Sequence, residues 1–343
     1  MTRRVSAGHA VLAATALCVI VIAASLSIGP EPLGPLHLLR QWRAGESIED
    51  AAYILFSLRL PRTLAAFLAG AGLALVGCAF QALLRNPLAT PYTLGLAGAG
   101  SFGAYTALVL IDFGRLPYSV IGVPMVQAFA FLFAAADVLL IFLVASRRAR
   151  PTPAVLLLTG VTLGIIANSG IMLTRYFARP ERLIDMDRWL MGGVDIVGYR
   201  PVAVLAIGVV PACLWLLTQA GKLDQFGFSE EMAAGRGVNI TRLQLTVLLL
   251  GSFITGVIVS EVGPIGFVGL VVPHTVRAFT GAGHRLLMPV SLLSGGAFLC
   301  LCDLAARKVP VAGEIPIGII TTLIGGPFFL YLLVRGRFAD WET

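Results

Sequence analysis

Charged residues divide the chain into long stretches that contain none. Runs free of Asp, Glu, Lys and Arg cover 5–30, 63–84, 86–111, 116–136, 151–174, 201–221, 243–260, 262–276, 286–302 and 315–334, and the fourth continues past Asp137 to Ser146. A hydrocarbon core about 30 Å thick is crossed by about 20 residues of helix, which rises about 1.5 Å per residue. Backbone groups in lipid need internal partners, which leaves helices or closed barrels, and these runs are too long and too continuously apolar for barrel strands. The pattern predicts an all-α polytopic membrane protein forming one domain over 1–343. Its ten transmembrane helices are expected at about 9–28, 62–84, 91–111, 120–146, 153–175, 201–220, 243–261, 264–279, 286–306 and 315–334. The eighth, with Gly263, Pro264, Gly266, Gly269 and Pro273, reads as a broken or shortened helix shielded by its neighbours.

Composition supports this reading. Hydrophobic residues make up 57% and charged residues 13%, against about 25% charged in an ordinary soluble domain. A mean hydropathy of +0.89 over this length cannot be buried in one water-soluble core. The formal charge of +7 comes from 25 Lys and Arg against 18 Asp and Glu. These charges form short clusters between apolar runs, with no basic stretch interleaved with aromatics, so nucleic-acid binding is not indicated. With ten spans both termini lie on one side, and a cytoplasmic N-terminus divides the basic residues almost evenly between the two faces. The basic count alone therefore fixes no orientation, although Arg3-Arg4 and Arg147-Arg148-Ala149-Arg150 lean inward. Nine further spans favour an uncleaved first helix over a signal peptide. Cys18, Cys78, Cys213, Cys300 and Cys302 all lie in apolar runs without a CxxC pair, which reads as core packing and no metal site.

Three polar intervals stand out. Residues 29–62 carry Pro30, Pro32 and Pro35, an amphipathic stretch and Arg59-Leu60-Pro61-Arg62; residues 175–200 include Asp187-Arg188-Trp189-Leu190-Met191-Gly192-Gly193, a short surface helix stopped by glycine. In the loop 221–242, Ser229 followed by Glu230, Glu231 and Met232 starts a helix with acids in its first turn, and Gly235 and Gly237 end it. Gly70, Gly72 and Gly77, the Gly95/Ala99/Gly103 series and Gly325-Gly326 permit close helix approach in lipid.

Several of these segments together resemble a known family. They are Arg59-Leu-Pro-Arg62, Gly70-Ala-Gly-Leu-Ala-Leu-Val-Gly77, Gln81 through Asn86-Pro87 to Pro91, Trp189-Leu-Met-Gly-Gly193, Gly263-Pro-Ile-Gly-Phe-Val-Gly-Leu-Val-Val-Pro-His274, His284-Arg285, Glu314-Ile-Pro-Ile-Gly318 and Gly325-Gly-Pro327. In order from about 50 to 337, the chain is similar to the permease subunits of bacterial type II ABC importers, which take up ferric siderophores, haem and vitamin B12. The resemblance implies ten helices, both termini in the cytoplasm, a homodimer in the bacterial inner membrane, two ATPase subunits and a periplasmic substrate-binding protein. It implies no enzyme activity in this chain and no bound cofactor, with ATP and Mg held by the partner ATPase; the sequence has no GxxxxGK[ST] loop. Ferric siderophore is the expected cargo, with cobalamin and haem as alternatives.

By the same resemblance, Arg59, Arg62 and Arg307, with Lys308 adjacent, receive acidic residues of the binding protein; snorkelling of long basic side chains at helix ends is the alternative. The segment Glu230, Glu231, Met232, Ala233, Ala234, Gly235, Arg236, Gly237 and Val238 corresponds to the coupling loop seated in the ATPase. Arg236 stands where an aliphatic residue is usual. Gln81, Asn86, Pro87, Gly263, Pro264, Gly266, Phe267, Gly269, Pro273 and His274 are motif positions near the pathway or at helix ends, with Asn86 expected to satisfy backbone groups and His274 to cap or pack. Three acids fall in or at the ends of apolar runs: Asp137, Glu261 and Asp303. Each is costly in lipid, and structural pairing is the leading expectation. An ion-coupled secondary transporter using Asp137 and Glu261 as relays is the alternative from another class.

Overall fold

A computed structural model describes residues 6–29, 31, 34–146, 152–308 and 314–334. The Arg3-Arg4 and Arg147–Arg150 clusters lie outside them. The helices are α1 (Ala7–Ser27), α2 (Pro35–Ala44), α3 (Glu49–Tyr53), continued through a π-helical turn (Ile54–Arg59) into α4 (Leu60–Leu84), α5 (Leu96–Asp112), α6 (Met125–Ser146), α7 (Pro153–Phe177), α8 (Pro180–Met191), α9 (Arg200–Thr218), α10 (Ala220–Phe228), α11 (Glu230–Gly235), α12 (Ile240–Val262), α13 (Val268–Thr280), α14 (His284–Lys308) and α15 (Ile317–Val334). Among the described residues the only strands are a hairpin, β1 (Ser119–Val120) paired antiparallel with β2 (Val123–Pro124).

Seven described helical stretches are long and apolar enough to cross a membrane: Ala7–Ser27, Glu49–Leu84, Met125–Val144, Pro153–Phe177, Arg200–Thr218, Ile240–Val262 and His284–Lys308. Leu96–Asp112 and Ile317–Leu332 are apolar but shorter, and α13 has 13 residues. The break expected in the eighth segment is present: 263–267 is non-helical, Phe267 takes φ 65°, and α13 then runs through Pro273.

α4 lies at the centre and packs against α9, α12, α13 and α14. From Ala69 to Leu84 every residue is buried, and the small side chains of this helix allow that enclosure. A Cβ on Gly70 would collide with the Gly295 carbonyl of α14, and one on Gly77 with the Gly269 backbone of α13. Dispersion and backbone proximity replace the hydrophobic drive between helices in lipid, so these contacts fix where α4 sits.

Several predicted boundaries shift, two of them for a plain local reason. The third segment begins at Leu96 instead of 91, because Pro91, a Thr90–Thr93 hydrogen-bonded turn (Thr90 N to Thr93 Oγ1, 2.9 Å) and Gly95 at φ 81° hold 90–95 out of the helix. The fourth begins at Met125 instead of 120, because Ile121 and Gly122, at φ 50° and 73°, close the hairpin. The sixth ends at Thr218, and the following interval contains α10, a helix absent from the sequence reading. The short glycine-stopped surface helix is longer than expected: α8 starts at Pro180 and stops at Gly192, φ 66°. Arg182 fastens it to the end of α5 and to the hairpin, donating to Asp112 Oδ1 at 2.8 Å and to the Tyr118 hydroxyl at 2.8 Å.

Candidate functional site

The sequence-selected residues collect at the two ends of the α4–α14 pair and along a cavity beside it. At one end lie Arg59, Arg62 and Arg307. The Pro61 ring fits the first turn of α4, where the missing N–H has no helical partner to lose, and the π turn before it brings Arg59 and Arg62 to one cavity of 520 Å³ that Arg307 also lines. Arg59 is 5% exposed and donates to the carbonyls of Leu26 (3.2 Å) and Glu31 (2.6 Å). Arg62 donates through Nε to Asp303 Oδ1 at 2.8 Å and through Nη1 to Glu314 Oε2 at 2.5 Å, with Asp195 3.8 Å away. Arg307 forms an ion pair with Asp303 Oδ2 at 2.8 Å and donates to Ser25 Oγ at 2.7 Å. Asp303, one turn before Arg307 and fully buried, therefore bridges two guanidinium groups. The structure brings the three arginines together and leaves Lys308 apart, exposed and outside the cavity lining.

At the opposite end, Ser229 caps α11, its Oγ accepting from Met232 N at 2.9 Å. Gly237 at φ 82° follows the helix. Ala233 is fully buried while Met232 is 46% exposed, and Glu231, Ala234, Gly235, Arg236 and Gly237 are exposed as well. Glu230 and Val238 are half-buried. The result is a short helix anchored by one alanine, with an open surface of one methionine and charges of both signs. Asp224 of α10 accepts from His284 N at 2.6 Å and pairs with His284 Nδ1 at 2.8 Å. Burial pushes the Asp224 carboxyl up, but the hydrogen bonds from His284 outweigh it, and the net shift is below the usual carboxylate value.

Between the ends, α5, α7, α8, the 263–267 stretch, α13 and α15 line a cavity of 940 Å³. Its polar groups are few, notably Thr90, Thr93, Ser101 and Asn168, and glycines at 95, 98, 160, 164, 266 and 318 keep its wall wide. Of the motif positions, Pro264, Gly266 and Phe267 face this space; Gln81, Asn86, Pro87, Gly263, Gly269, Pro273 and His274 do not line it. Gln81 Nε2 donates to the Gly269 carbonyl at 3.1 Å, tying α4 to α13. Asn86 Oδ1 accepts from Leu88 N at 2.8 Å, stabilising the turn after α4. His274 packs edge-on against Phe328, 6.1 Å between ring centroids. Of the three acids in or near spans, Asp303 is paired as above, Glu261 is half-buried, and Asp137 is 4% exposed with no hydrogen bond to its Oδ2.

The profile of the FecCD transport family matches residues 17–335. The chain belongs to the FecCD transport family. It is 37% identical over 299 residues to the vitamin B12 import system permease BtuC of Vibrio cholerae, covering 87% of each chain. It is 32% identical over 319 residues to the hemin transport system permease HmuU of Yersinia pestis, covering 93% of this chain and 94% of that one. Among solved structures, one described as an inward-facing conformation of a metal-chelate type ABC transporter superposes with a TM-score of 0.83 at 29% identity, over 96% of this chain and 99% of the other. This FecCD protein is thus a transport permease of the ABC importer class, a multi-span membrane subunit of machines that work with ATPase and substrate-binding partners. The sequence reading missed two features of it: the Asp195 and Glu314 carboxylates already seated on Arg62, and the fastening of α10 to α14 through Asp224. Neither has a local signal, since each partner lies tens to hundreds of residues away in the chain.

Proposed function

We propose that this permease forms a homodimer of ten-helix subunits in the bacterial inner membrane, with both termini in the cytoplasm, and moves a ferric siderophore inward. Its arginine end faces the periplasm and receives acidic residues of the binding protein. Its α11 end, within the loop 221–242, docks into a separate ATPase that binds ATP and Mg. The cavity beside α5 and α7 is one wall of the pathway, completed by the second copy. The observation that carries this reading is the arrangement of one chain: an arginine-lined recess, a wide and sparsely polar cavity, and a capped, exposed coupling helix, in that order from end to end. Asp137 and Glu261 serve structure instead of a proton relay, and Asp303 holds the arginines of the docking end. Uptake by the reconstituted complex tests the mechanism: import is expected to stop when the ATPase is inactivated and to persist with an uncoupler, and the reverse pattern would establish the ion-coupled alternative.

A second cargo reading is favoured by the relatives, whose names specify vitamin B12 and hemin. All three cargoes are bulky chelates, and a wall of glycines, threonines and one asparagine suits their shared size more than any one ligand chemistry. Thermal stabilisation of the cognate binding protein by ferric siderophore, cobalamin or haem decides among them. A shift with cobalamin or haem alone would replace the siderophore assignment.

A further inference from the structure

The cytoplasmic loop is fastened to the same two helices that carry the arginine end. α4 is capped by Arg85, which takes the left-handed conformation at φ 46°. From there its guanidinium donates through Nη2 to the carbonyl of Phe226 in α10 at 2.9 Å and lies 4.7 Å over the Phe226 ring, which is fully buried. α14 begins at His284, whose backbone N and ring Nδ1 both engage Asp224 of α10. Two residues of one helical turn of α10 thus grip the C-terminus of α4 and the N-terminus of α14, and α10 leads through Ser229 directly into α11. At the far end the same two helices are joined through Arg62, Asp303 and Arg307. Between the ends they touch at backbone distance where Gly70 meets Gly295, with Phe67 against Gly296 and Cys300 near the Thr63 carbonyl at 3.5 Å. Each helix has 25 residues, or about 37 Å at the α-helical rise. A pair packed this closely, with a charged fastening at both ends, has the construction of a rigid strut, because interdigitated cores switch between arrangements and do not deform smoothly.

We infer that Arg85 and Asp224 are positioning residues that clamp the α10–α11 segment to the α4–α14 pair, so that engagement of a partner at the arginine end reaches the ATPase contact through this strut. The inference rests on the proposed coupling role of α11. Neither residue touches cargo, and their worth lies in keeping α10 in register with the strut. The hydrogen bond from Arg85 to Phe226 and the His284 contacts to Asp224 involve charged groups, the class with the larger net contribution.

The test uses the full complex in proteoliposomes and measures ATP hydrolysis with and without loaded binding protein, together with uptake. In the double variant Arg85→Gln/Asp224→Ala, which removes three charge-assisted hydrogen bonds, stimulation over the basal rate and uptake are expected to fall at least about tenfold, the factor equivalent to losing one of them. Arg85→Lys, which keeps the positive charge near the Phe226 ring and, unlike the shorter neutral glutamine, a charged donor for the Phe226 carbonyl, is expected to retain most of the stimulation, a rescue that a purely structural loss of protein would not show. If the double variant does not assemble, Arg85→Gln alone is measured, with the same ratio of stimulated to basal hydrolysis as the criterion. Wild-type stimulation and uptake in the assembled variant would overturn the clamp. Gly237→Pro separates the two levels: if it abolishes uptake while the clamp variant transports normally, only the clamp fails, and if it too transports normally, the coupling assignment of α11 fails.

Discussion

Replacing Asp303 by alanine tests whether the arginine end is held by one buried carboxylate. Asp303 is fully buried, and its two oxygens lie 2.8 Å from Arg62 Nε and 2.8 Å from Arg307 Nη2. Arg62 and Arg307 have only 12% and 4% of their side chains exposed, so little water is available to take over. Truncating the acid leaves two guanidinium groups facing one another, and removing one partner from a buried ion pair costs about 3–5 kcal/mol. Glu314 can re-solvate Arg62 in part, which places the expected loss near the lower end, about 3 kcal/mol. Denaturant unfolding of the purified permease in detergent micelles measures it directly. The opposite result is expected for a different change: Arg62→Met/Asp303→Leu/Arg307→Met removes all three charges together and should lie between neutral and about 4 kcal/mol more stable, because the desolvation cost goes with the charges. That variant should nevertheless lose binding-protein affinity, which would separate the structural role of the cluster from the docking role we propose for it. A loss for Asp303→Ala below about 0.5 kcal/mol, the range of an exposed pair, would refute the argument.

Three further predictions follow from single contacts. Glu314→Gln removes an intramolecular competitor for Arg62; with the carboxylate 44% exposed, the gain in binding-protein affinity is at most about fivefold, corresponding to about 1 kcal/mol for a solvent-screened pair, and unchanged affinity with unchanged salt dependence would show that Glu314 does not compete. Asp224 has a folded-state value below that of the unfolded chain, so its contribution is present above the ordinary carboxylate range and is lost as pH falls through the folded value; amide exchange of α10 should accelerate on acidification in the wild type and be pH-insensitive across the same window in Asp224→Asn, after correction for intrinsic rates. Gly237→Ala meets no atom within 4 Å but must hold φ 82°, so its cost is conformational, about 1–2 kcal/mol, read as a roughly tenfold weaker hold on the ATPase in pull-down titration; wild-type affinity would place Gly237 outside the contact.

The legible parts of this molecule are those whose physics is local. Long uncharged runs announce helices because lipid leaves the backbone no other partner. Ser229 with Glu230 and Glu231 announces the start of α11, and the side chain caps it as the pattern requires. The break at Gly263–Phe267 is equally readable, since glycine and proline mark backbone that a helix does not carry. Other features depend on contacts across the fold. Nothing near Asp303 reveals that Arg62, 241 residues away in the chain, sits on it. The start of α5 at Leu96 depends on a hydroxyl pair, Thr90 and Thr93, inside a run that composition alone assigns to helix. α10 escaped because its first residues continue the apolar run of α9, and the only interruption is a single non-helical residue, Gln219.

The crowding of carboxylates around the arginine end changes what the docking we propose there would mean physically. Arg59, Arg62 and Arg307 share their cavity with Glu31, Asp195 and Glu314, and Asp303 lies behind them, so three arginines are met by four acids of the same chain. A partner's acidic side chain would therefore not find a bare positive surface; at Arg62 it would have to exchange with a carboxylate already in place. Exchange of one screened carboxylate for another changes the free energy little, because the Coulomb attraction gained is nearly the attraction lost. The favourable part of the affinity would then come from shape and buried area, while the arginines spare a partner's acid the cost of burial without a counter-charge and contribute register and selectivity for acids over bases. Asp195, 80% exposed, and Glu314 are the carboxylates free to swing away, whereas Asp303 cannot leave without uncovering two buried cations. Under the proposed docking role such a division would suit a transporter that grips its binding protein in one state and releases it in the next: Asp303 would keep the guanidinium groups in place, and the outer two acids would cover them when the partner departs.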